Sequence, residues 1–265
     1  MIDLHSHILP GIDDGAPDME MSLAIARMAV DDGIKVMAAT PHFMPGVYDN
    51  EADDVRNRVA QLQGALQDAG IPLDIVTGCD AHIRPDFAAC LRDGRILTIN
   101  DSRYVLFEPP HVNMPPRMDE LMFNTMASGF VPILTHPERL RWIEQNYAMF
   151  VKLAEQGVLM QITCGSLTGR FGQRPQYWAK RMLAEGMVHI LATDTHDTRK
   201  RPPSMTTAYE IAASELGLDE AKNLVLIRPA MILDNEPADS LPPVLAQKPA
   251  SSSERRSLFN RLFGR

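Results

Sequence analysis

The chain has 265 residues, of which 45% are hydrophobic and 23% charged, proportions that fit a globular protein with one large core. The net charge of −8 argues against a nucleic-acid backbone as the main partner, because phosphate neutralisation needs clustered Lys and Arg; it suits a site that gathers metal cations. Cys79, Cys90 and Cys164 are odd in number and lack metal-knot spacing, so reduced thiols in a cytoplasmic protein are expected in place of a disulfide framework.

The opening MIDLHSH reads as a strand, without the basic and apolar regions of a signal peptide. No apolar run is long enough to cross a bilayer. The helix MEMSLAIARMAVDDG comes next, then the strand KVMAATPHF and the helix DDVRNRVAQLQGALQDAG. PLDIVTGCDAH leads into the helical DFAACLRDG and a hairpin, ILTINDSRYVLFEPP, whose second arm opens the following unit. PRMDELMFNTMASG is a helix, FVPILTHPE a strand and NYAMFVKLAEQG a helix. The strands VLMQITCGS and VHILATDTH precede the helices PQYWAKRMLAEGM and MTTAYEIAASELG. Gly33, Gly70, Gly129, Gly157, Gly186 and Gly217 stand where helix C-caps are expected. About seven strand–helix units predict an α/β fold, a parallel sheet with right-handed crossovers closed into a barrel. An open doubly wound sheet is the weaker alternative, since no Gly-rich phosphate loop follows the first strand.

From about Asp234 the sequence turns rich in Pro, Ser, Ala and charge, the composition of a disordered linker. It ends in RRSLFNRLFGR, where Leu258, Phe259, Leu262 and Phe263 can share one face of a short basic helix. Residues 255–265 are therefore either a frayed tail, since so short a helix is marginal alone, or a weak docking segment for a partner or an anionic membrane.

Ligand-type side chains gather at the strand ends. His5 and His7 end the first strand, His42 the second, Asp80 and His82 the third, and Glu108 the fourth. His136 ends the fifth, and Asp194 with His196 the last. In a barrel those ends form one face, where active sites sit, and residues two apart on a strand point the same way. Of eight histidines, only His189 falls outside this face and its loops. A single one would be an ordinary satisfied buried side chain; the set points to metal. Imidazole mixed with carboxylate suits Mn, Fe or Zn. The ligands exceed the need of one ion, so two or three are expected, with carboxylates bridging a pair.

Taken in order, DLHSH, LPGIDDG, ATPH, Asp80, FE, THPER and ATDTH resemble the motifs of the polymerase-and-histidinol-phosphatase (PHP) superfamily over roughly Met1 to Asn235. With CGSLTGRFG, and RPP after ATDTH, the chain resembles its bacterial tyrosine-protein phosphatase branch, which acts on kinases controlling capsule and exopolysaccharide assembly. The resemblance implies a distorted (β/α)7 barrel of the PHP type over residues 1–235, with 236–265 as linker and C-terminal segment. It implies a trinuclear site, most simply for Mn2+. His5, His7, Asp80 and Asp194 would hold one ion, Asp80, Glu108 and His136 a second, and Asp14, His42 and His196 a third. Asp3 would orient a ligand histidine from behind. The bridging position is usually Glu in that superfamily, and Asp80 is shorter by about 1.5 Å of reach. It bridges if the strand shifts inward and otherwise binds one ion, with His82 available to compensate.

The resemblance also places phosphate-binding arginines at Arg139 and Arg201, whose forks suit phosphate oxygens. The expected chemistry is attack on phosphotyrosine by water activated between cations, with arginines stabilising the equatorial oxygens. A phenol of pKa ~10 leaves with little acid assistance; His111 can supply a proton or shape the rim. The implied partner is the C-terminal tail of a bacterial tyrosine kinase. A small-molecule phosphatase of the histidinol-phosphate type, or a phosphodiesterase, would use the same metals. Cys164 and Arg170 mimic the Cys-x5-Arg loop of cysteine phosphatases. The next helix is expected only near Pro175, however, which leaves no helix N-terminus to lower the thiol pKa, and Thr163 precedes the cysteine where those enzymes carry His. Gly165, Ser166, Gly169 and Arg170 are therefore expected to line a substrate loop, with Cys164 a bystander.

Overall fold

The structure is a computed structural model that describes residues 1–247; the segment 255–265 lies outside the described residues. Nine parallel strands make seven staves, because two staves are interrupted. They are β1 (Ile2–Ser6), β2 (Val36–Ala39) continuing as β3 (His42–Phe43), and β4 (Asp74–Thr77) continuing as β5 (Asp80–His82). The others are β6 (Tyr104–Glu108), β7 (Val131–Thr135), β8 (Leu159–Thr163) and β9 (Ile190–Ala192). The lower halves pair as β1-β2-β4 and the upper run as β3-β5-β6-β7-β8-β9. The last strand returns to the first: Asp194 N donates to His5 O and His7 N to Thr195 O, both at 2.9 Å. That return closes a distorted seven-stave α/β barrel, as the alternation of elements predicts.

The outer layer consists of α1 (Met19–Asp31), α2 (Ala52–Asp68), α3 (Phe87–Arg92), α4 (Met118–Ala127) and α5 (Ile143–Glu155). It continues with α6 (Cys164–Leu167), α7 (Gln173–Ala184), α8 (Thr206–Leu216), α9 (Leu218–Lys222) and α10 (Arg228–Leu233). The six glycines named above all stand at positive φ just past helix ends, where L residues carry a steric cost. Leu4, Leu106, Ile133, Leu159 and Ile190 fill the lower barrel, plugged by Ile232. A larger apolar layer, including Ile25, Leu62, Phe150 and Met182, seals the helices to the sheet. Burying the barrel floor leaves only the upper strand ends free for polar chemistry.

Two expectations are corrected. The ILTIN stretch is not a hairpin arm, because Asn100 and Asp101 take φ of 51° and 55° and turn the chain in a short 3-10 segment. Residues 236–247 are not a free linker. Tyr104 Oη donates to Glu236 O, and Gln247 N to Ala184 O. The buried Arg228 guanidinium donates to Pro242 O and Pro243 O at 2.8 Å while pairing with Glu220. A buried arginine needs all its donors satisfied, and the strap supplies the carbonyls.

Candidate metal centre

A bulge aims the first two histidines. Asp3 pairs with Met37 and Ser6 with Ala39, so β1 carries one more residue than β2 between those points. An inserted residue reverses the alternation beyond it. Leu4 thereby faces the floor while His5 and His7 both enter the polar mouth. Gly15 completes the fit: a Cβ there would lie 2.1 Å from His7 O and 2.4 Å from His7 Cβ. Only glycine lets the DDG turn close over His7.

Ligand-type atoms then converge. His5 Nε2 lies 3.3 Å from Asp80 Oδ2 and 3.4 Å from Asp194 Oδ1, and His7 Nε2 is 3.4 Å from the same Asp194 oxygen. Asp14 Oδ1 sits 3.4 Å from both His42 Nε2 and His196 Nε2. His42 Nδ1 is 3.7 Å from Asp80 Oδ2 and 3.3 Å from Glu108 Oε2. Glu108 Oε1 lies 3.7 Å from His136 Nε2 and 3.6 Å from His111 Nε2. Asp80 belongs both to the His5–His7 group and to the His42–Glu108 group. Despite its shorter side chain, it stands between two clusters.

These residues fit cations. His5 Nδ1 is 2.8 Å from Gln161 Oε1, and His7 Nδ1 is 2.8 Å from Asp13 Oδ2. The Asp13 carboxylate and the Gln161 amide oxygen accept, so both Nδ1 atoms carry a proton and Nε2 is the nitrogen that each ring would turn to a metal once its own proton is displaced. Those two Nε2 atoms face each other at 3.3 Å among carboxylates. With those protons gone, two lone pairs at that distance repel unless a positive charge lies between them. Both Asp80 oxygens, His136 Nδ1 and His196 Nε2 are also buried without a hydrogen-bond partner, a state native proteins rarely leave uncompensated.

Electrostatics carry the same signature. Burial opposes protonation of His5, yet Asp80 and Asp194 push its pKa up to about 9. His42, similarly opposed by burial, is pushed up to about 12 by Asp14 and Glu108. Asp14 is held far below the carboxylate range by His196 and His42. His136 is lowered by burial and by the neighbouring Arg139, which keeps it in the neutral form that binds metal. Carboxylates have concentrated enough negative charge to hold protons where cations would sit. His136 and Asp194 also take positive φ, 35° and 53°, strain of the kind found where a side chain must be aimed.

Arg139 Nη1 and Arg201 Nη2 both reach Asp194 Oδ2, at 2.6 and 2.5 Å. The two guanidiniums therefore converge beside the ligand cluster, and Phe171 stacks on Arg139 with its ring centroid 4.8 Å from Cζ. Gly165, Gly169 and Arg170 line a cavity with Arg201. Ser166 does not join them: it is fully buried and its hydroxyl turns to Glu138. The reason is the helical turn α6, which starts at Cys164, earlier than expected, and rotates Ser166 inward. Arg170 does lie in the loop after that turn. Cys164 is 1% exposed and packed in the apolar layer, and burial drives its thiol pKa well above the ordinary value. A protonated, inaccessible thiol is no nucleophile.

Asp3 and His111 fall differently from expectation. Asp3 accepts from His5 N, Thr193 N and Thr193 Oγ1, so it clamps β1 to the chain after β9 and does not touch an imidazole. The orienting acceptors are Asp13 and Gln161, which the sequence reading missed. Asp13 hides inside the turn-like DDG, and Gln161 looks like ordinary strand polarity. His111, expected to supply a proton or shape the rim, groups instead with Glu108 and His136 as a candidate ligand. His82 pairs in register with Glu108 but belongs to none of the ligand groups.

The family described as "Capsular polysaccharide synthesis, CpsB/CapC" matches residues 1–234. The chain belongs to the CpsB/CapC family. It is 34% identical over 259 residues to the tyrosine-protein phosphatase YwqE of Bacillus subtilis, covering 98% of this chain and 99% of that one. It is 29% identical to the tyrosine-protein phosphatase CpsB of Streptococcus pneumoniae, over 88% of this chain and 98% of that protein. A solved structure, from work on YwqE and CpsB as "unique metal-dependent tyrosine phosphatases", superposes with a TM-score of 0.86 at 34% identity over 94% of this chain and 98% of that one. Histidinol phosphate phosphatase of Lactococcus lactis, with a TM-score of 0.51 at 13% identity over 83% and 93% of the two chains, shares the fold.

Proposed function

We propose that this CpsB/CapC member is a metal-dependent protein-tyrosine phosphatase. The observation that carries the reading is the pair of imidazole Nε2 atoms 3.3 Å apart, ringed by carboxylates with two arginines alongside. That donor set suits cations in place of the protons it otherwise holds, and the arginines supply what a phosphate then needs. His5, His7, Asp80 and Asp194 would hold one ion and Asp80, Glu108 and His136 a second, with His111 in reach. Asp14, His42 and His196 would hold a third. Mixed imidazole and carboxylate ligands suit Mn2+, Fe or Zn, and Mn2+ is the ion taken here from the resemblance.

Bound divalent ions supply Lewis acidity and lower the pKa of water, the chemistry a phosphoester needs at neutral pH. The chain's own residues do the rest. Gln161 and Asp13 keep the protons of His5 and His7 on Nδ1. Arg139 and Arg201 grip the phosphate oxygens and offset the charge that grows on them. Phe171 braces Arg139. Arg170 lies on the approach. The substrate is a phosphotyrosine protein, and the resemblance singles out the tail of a bacterial tyrosine kinase of capsule or exopolysaccharide synthesis, met in the cytoplasm. Among the described residues no helix is long and apolar enough to cross a membrane.

A phosphotyrosine peptide assay tests the reading. His136→Ala should abolish turnover and Cys164→Ser should keep it; the reverse pattern would overturn the proposal in favour of thiol chemistry. Faster turnover of histidinol phosphate than of any phosphotyrosine peptide would favour a small-molecule phosphatase.

A further inference from the structure

Beside the ligand cluster lies a cavity of about 370 Å³ that shares Arg201 with it. Arg170 and Phe171 wall one side, and Pro202, Ser204 and Thr207 the other. Thr193, immediately before Asp194, lines it next to the centre. No carboxylate lines it; two guanidiniums and several hydroxyls do. Arg201 Nε is buried there without a hydrogen-bond partner. Arg170 Nη1 donates to Arg199 O at 3.3 Å, tying the 170 loop to the basic run Arg199, Lys200, Arg201. A chain of net charge −8 thus places two guanidiniums, Arg170 and Arg201, in one opening.

Asp194 Oδ2 already pairs with Arg201 Nη2, which leaves Arg170 to supply most of the charge on offer in the cavity, and the other nearby carboxylates are bonded to backbone. Asp3 is held by Thr193 and His5 N. Asp32 Oδ2 accepts from Met205 N and Thr206 N, and Asp197 Oδ1 from Arg199 N and Lys200 N. Each is already engaged by backbone donors.

A single phosphotyrosine needs only the metal cluster with Arg139 and Arg201, so Arg170 and the hydroxyls of this cavity are surplus to it. The geometry points to an anion subsite, in which this cavity takes a carboxylate or second phosphate carried by the substrate peptide close to the phosphotyrosine. The inference rests on the phosphatase reading above. A peptide is favoured over a free anion because the cavity shares Arg201 with the reaction site. An extended chain advances about 3.3 Å per residue, so a neighbouring side chain reaches it, and the tether raises its effective concentration.

The test is a peptide series built on one phosphotyrosine frame. Glu, a second phosphotyrosine or Gln is placed in turn at each of the two positions on either side. One position should show kcat/KM higher by about fivefold for an anion over Gln, the size of one partly exposed charge contact, and the gain should shrink with added salt. Preference for Glu identifies a carboxylate ligand, and preference for the second phosphate identifies a phosphate. Arg170→Gln and Thr207→Val should bring the anion-to-Gln ratio toward one, while Arg84→Gln, which lines a different cavity, should keep the wild-type ratio. A wild-type ratio of one at every position would overturn the subsite and leave the phosphatase reading intact. So would a preference that survives in Arg170→Gln and Thr207→Val. Absence of any phosphotyrosine turnover would overturn both.

Discussion

Replacing Asp13 with Asn isolates what the orienting carboxylate does. Asp13 Oδ2 accepts from His7 Nδ1 at 2.8 Å and from His42 N at 3.1 Å, while Oδ1 accepts from Gly15 N at 2.9 Å. An Asn of the same shape has one acceptor oxygen. If it faces His7, the amide NH2 meets Gly15 N–H; if it faces Gly15, the NH2 meets two donors. Either way a buried donor is left unmatched, at about 1–3 kcal/mol. Burial works against ionisation, yet His7 holds the Asp13 carboxyl below its usual range, so the variant also removes a negative charge that makes His7 a stronger ligand. Losses of this kind weaken metal binding by about 10- to 100-fold, or about 1.4–2.7 kcal/mol. Competition with a metallochromic chelator reads that directly. Turnover measured against free metal should shift by the same factor while approaching the wild-type maximum at saturation. Metal affinity within about twofold of wild type would refute the argument that Asp13 fixes the His7 tautomer.

Further outcomes follow from other contacts. Gly15→Ala forces a Cβ against the His7 backbone and should reduce metal affinity and thermal stability together; a variant with wild-type Tm and affinity would show that the turn can relax. Arg139→Lys keeps the charge but loses the fork and the stacking on Phe171; kcat/KM should fall by about 100-fold with metal content unchanged, and a fall of less than about threefold would remove Arg139 from phosphate binding. His189 accepts from Met160 N, and burial with the nearby Arg228 lowers its pKa to about 4. Its folded pKa lies below the unfolded value of about 6.5, so the unfolded chain takes the proton first as pH falls. Its contribution is full above about pH 6.5 and is lost toward pH 4, by at most about 3 kcal/mol. Urea midpoints at pH 7 and pH 5 should therefore differ less in His189→Gln than in wild type; equal differences would contradict this.

Much of the barrel and most of the cluster were legible because both depend on short-range regularities. Strand–helix alternation sets the staves, and His5, His42, Glu108, His136 and Asp194 fall at strand ends where any barrel exposes them. What escaped depends on geometry without a local signature. The β1 bulge decides which way His5 and His7 point, yet it arises from register against β2. Gln161 and Asp13 act only across the barrel and across the turn, so neither shows a pattern along the chain. Asp3 was misread because its neighbour in sequence is a ligand, while its hydrogen bonds go to backbone and Thr193. The ILTIN stretch has strand-like composition, but positive φ at Asn100 and Asp101 and the burial of Ile99 turn it away. The 236–247 strap is low-complexity by composition and is held by contacts from Tyr104, Ala184 and the buried Arg228, none of which leaves a pattern within the strap itself.

The most direct measurement is phosphotyrosine-peptide hydrolysis by exhaustively demetallated full-length protein, before and after titration with Mn2+. Activity should fall to background without metal and return in step with two or three bound equivalents, with the His136→Ala variant failing to recover. Hydrolysis undiminished by demetallation would contradict the account at its base.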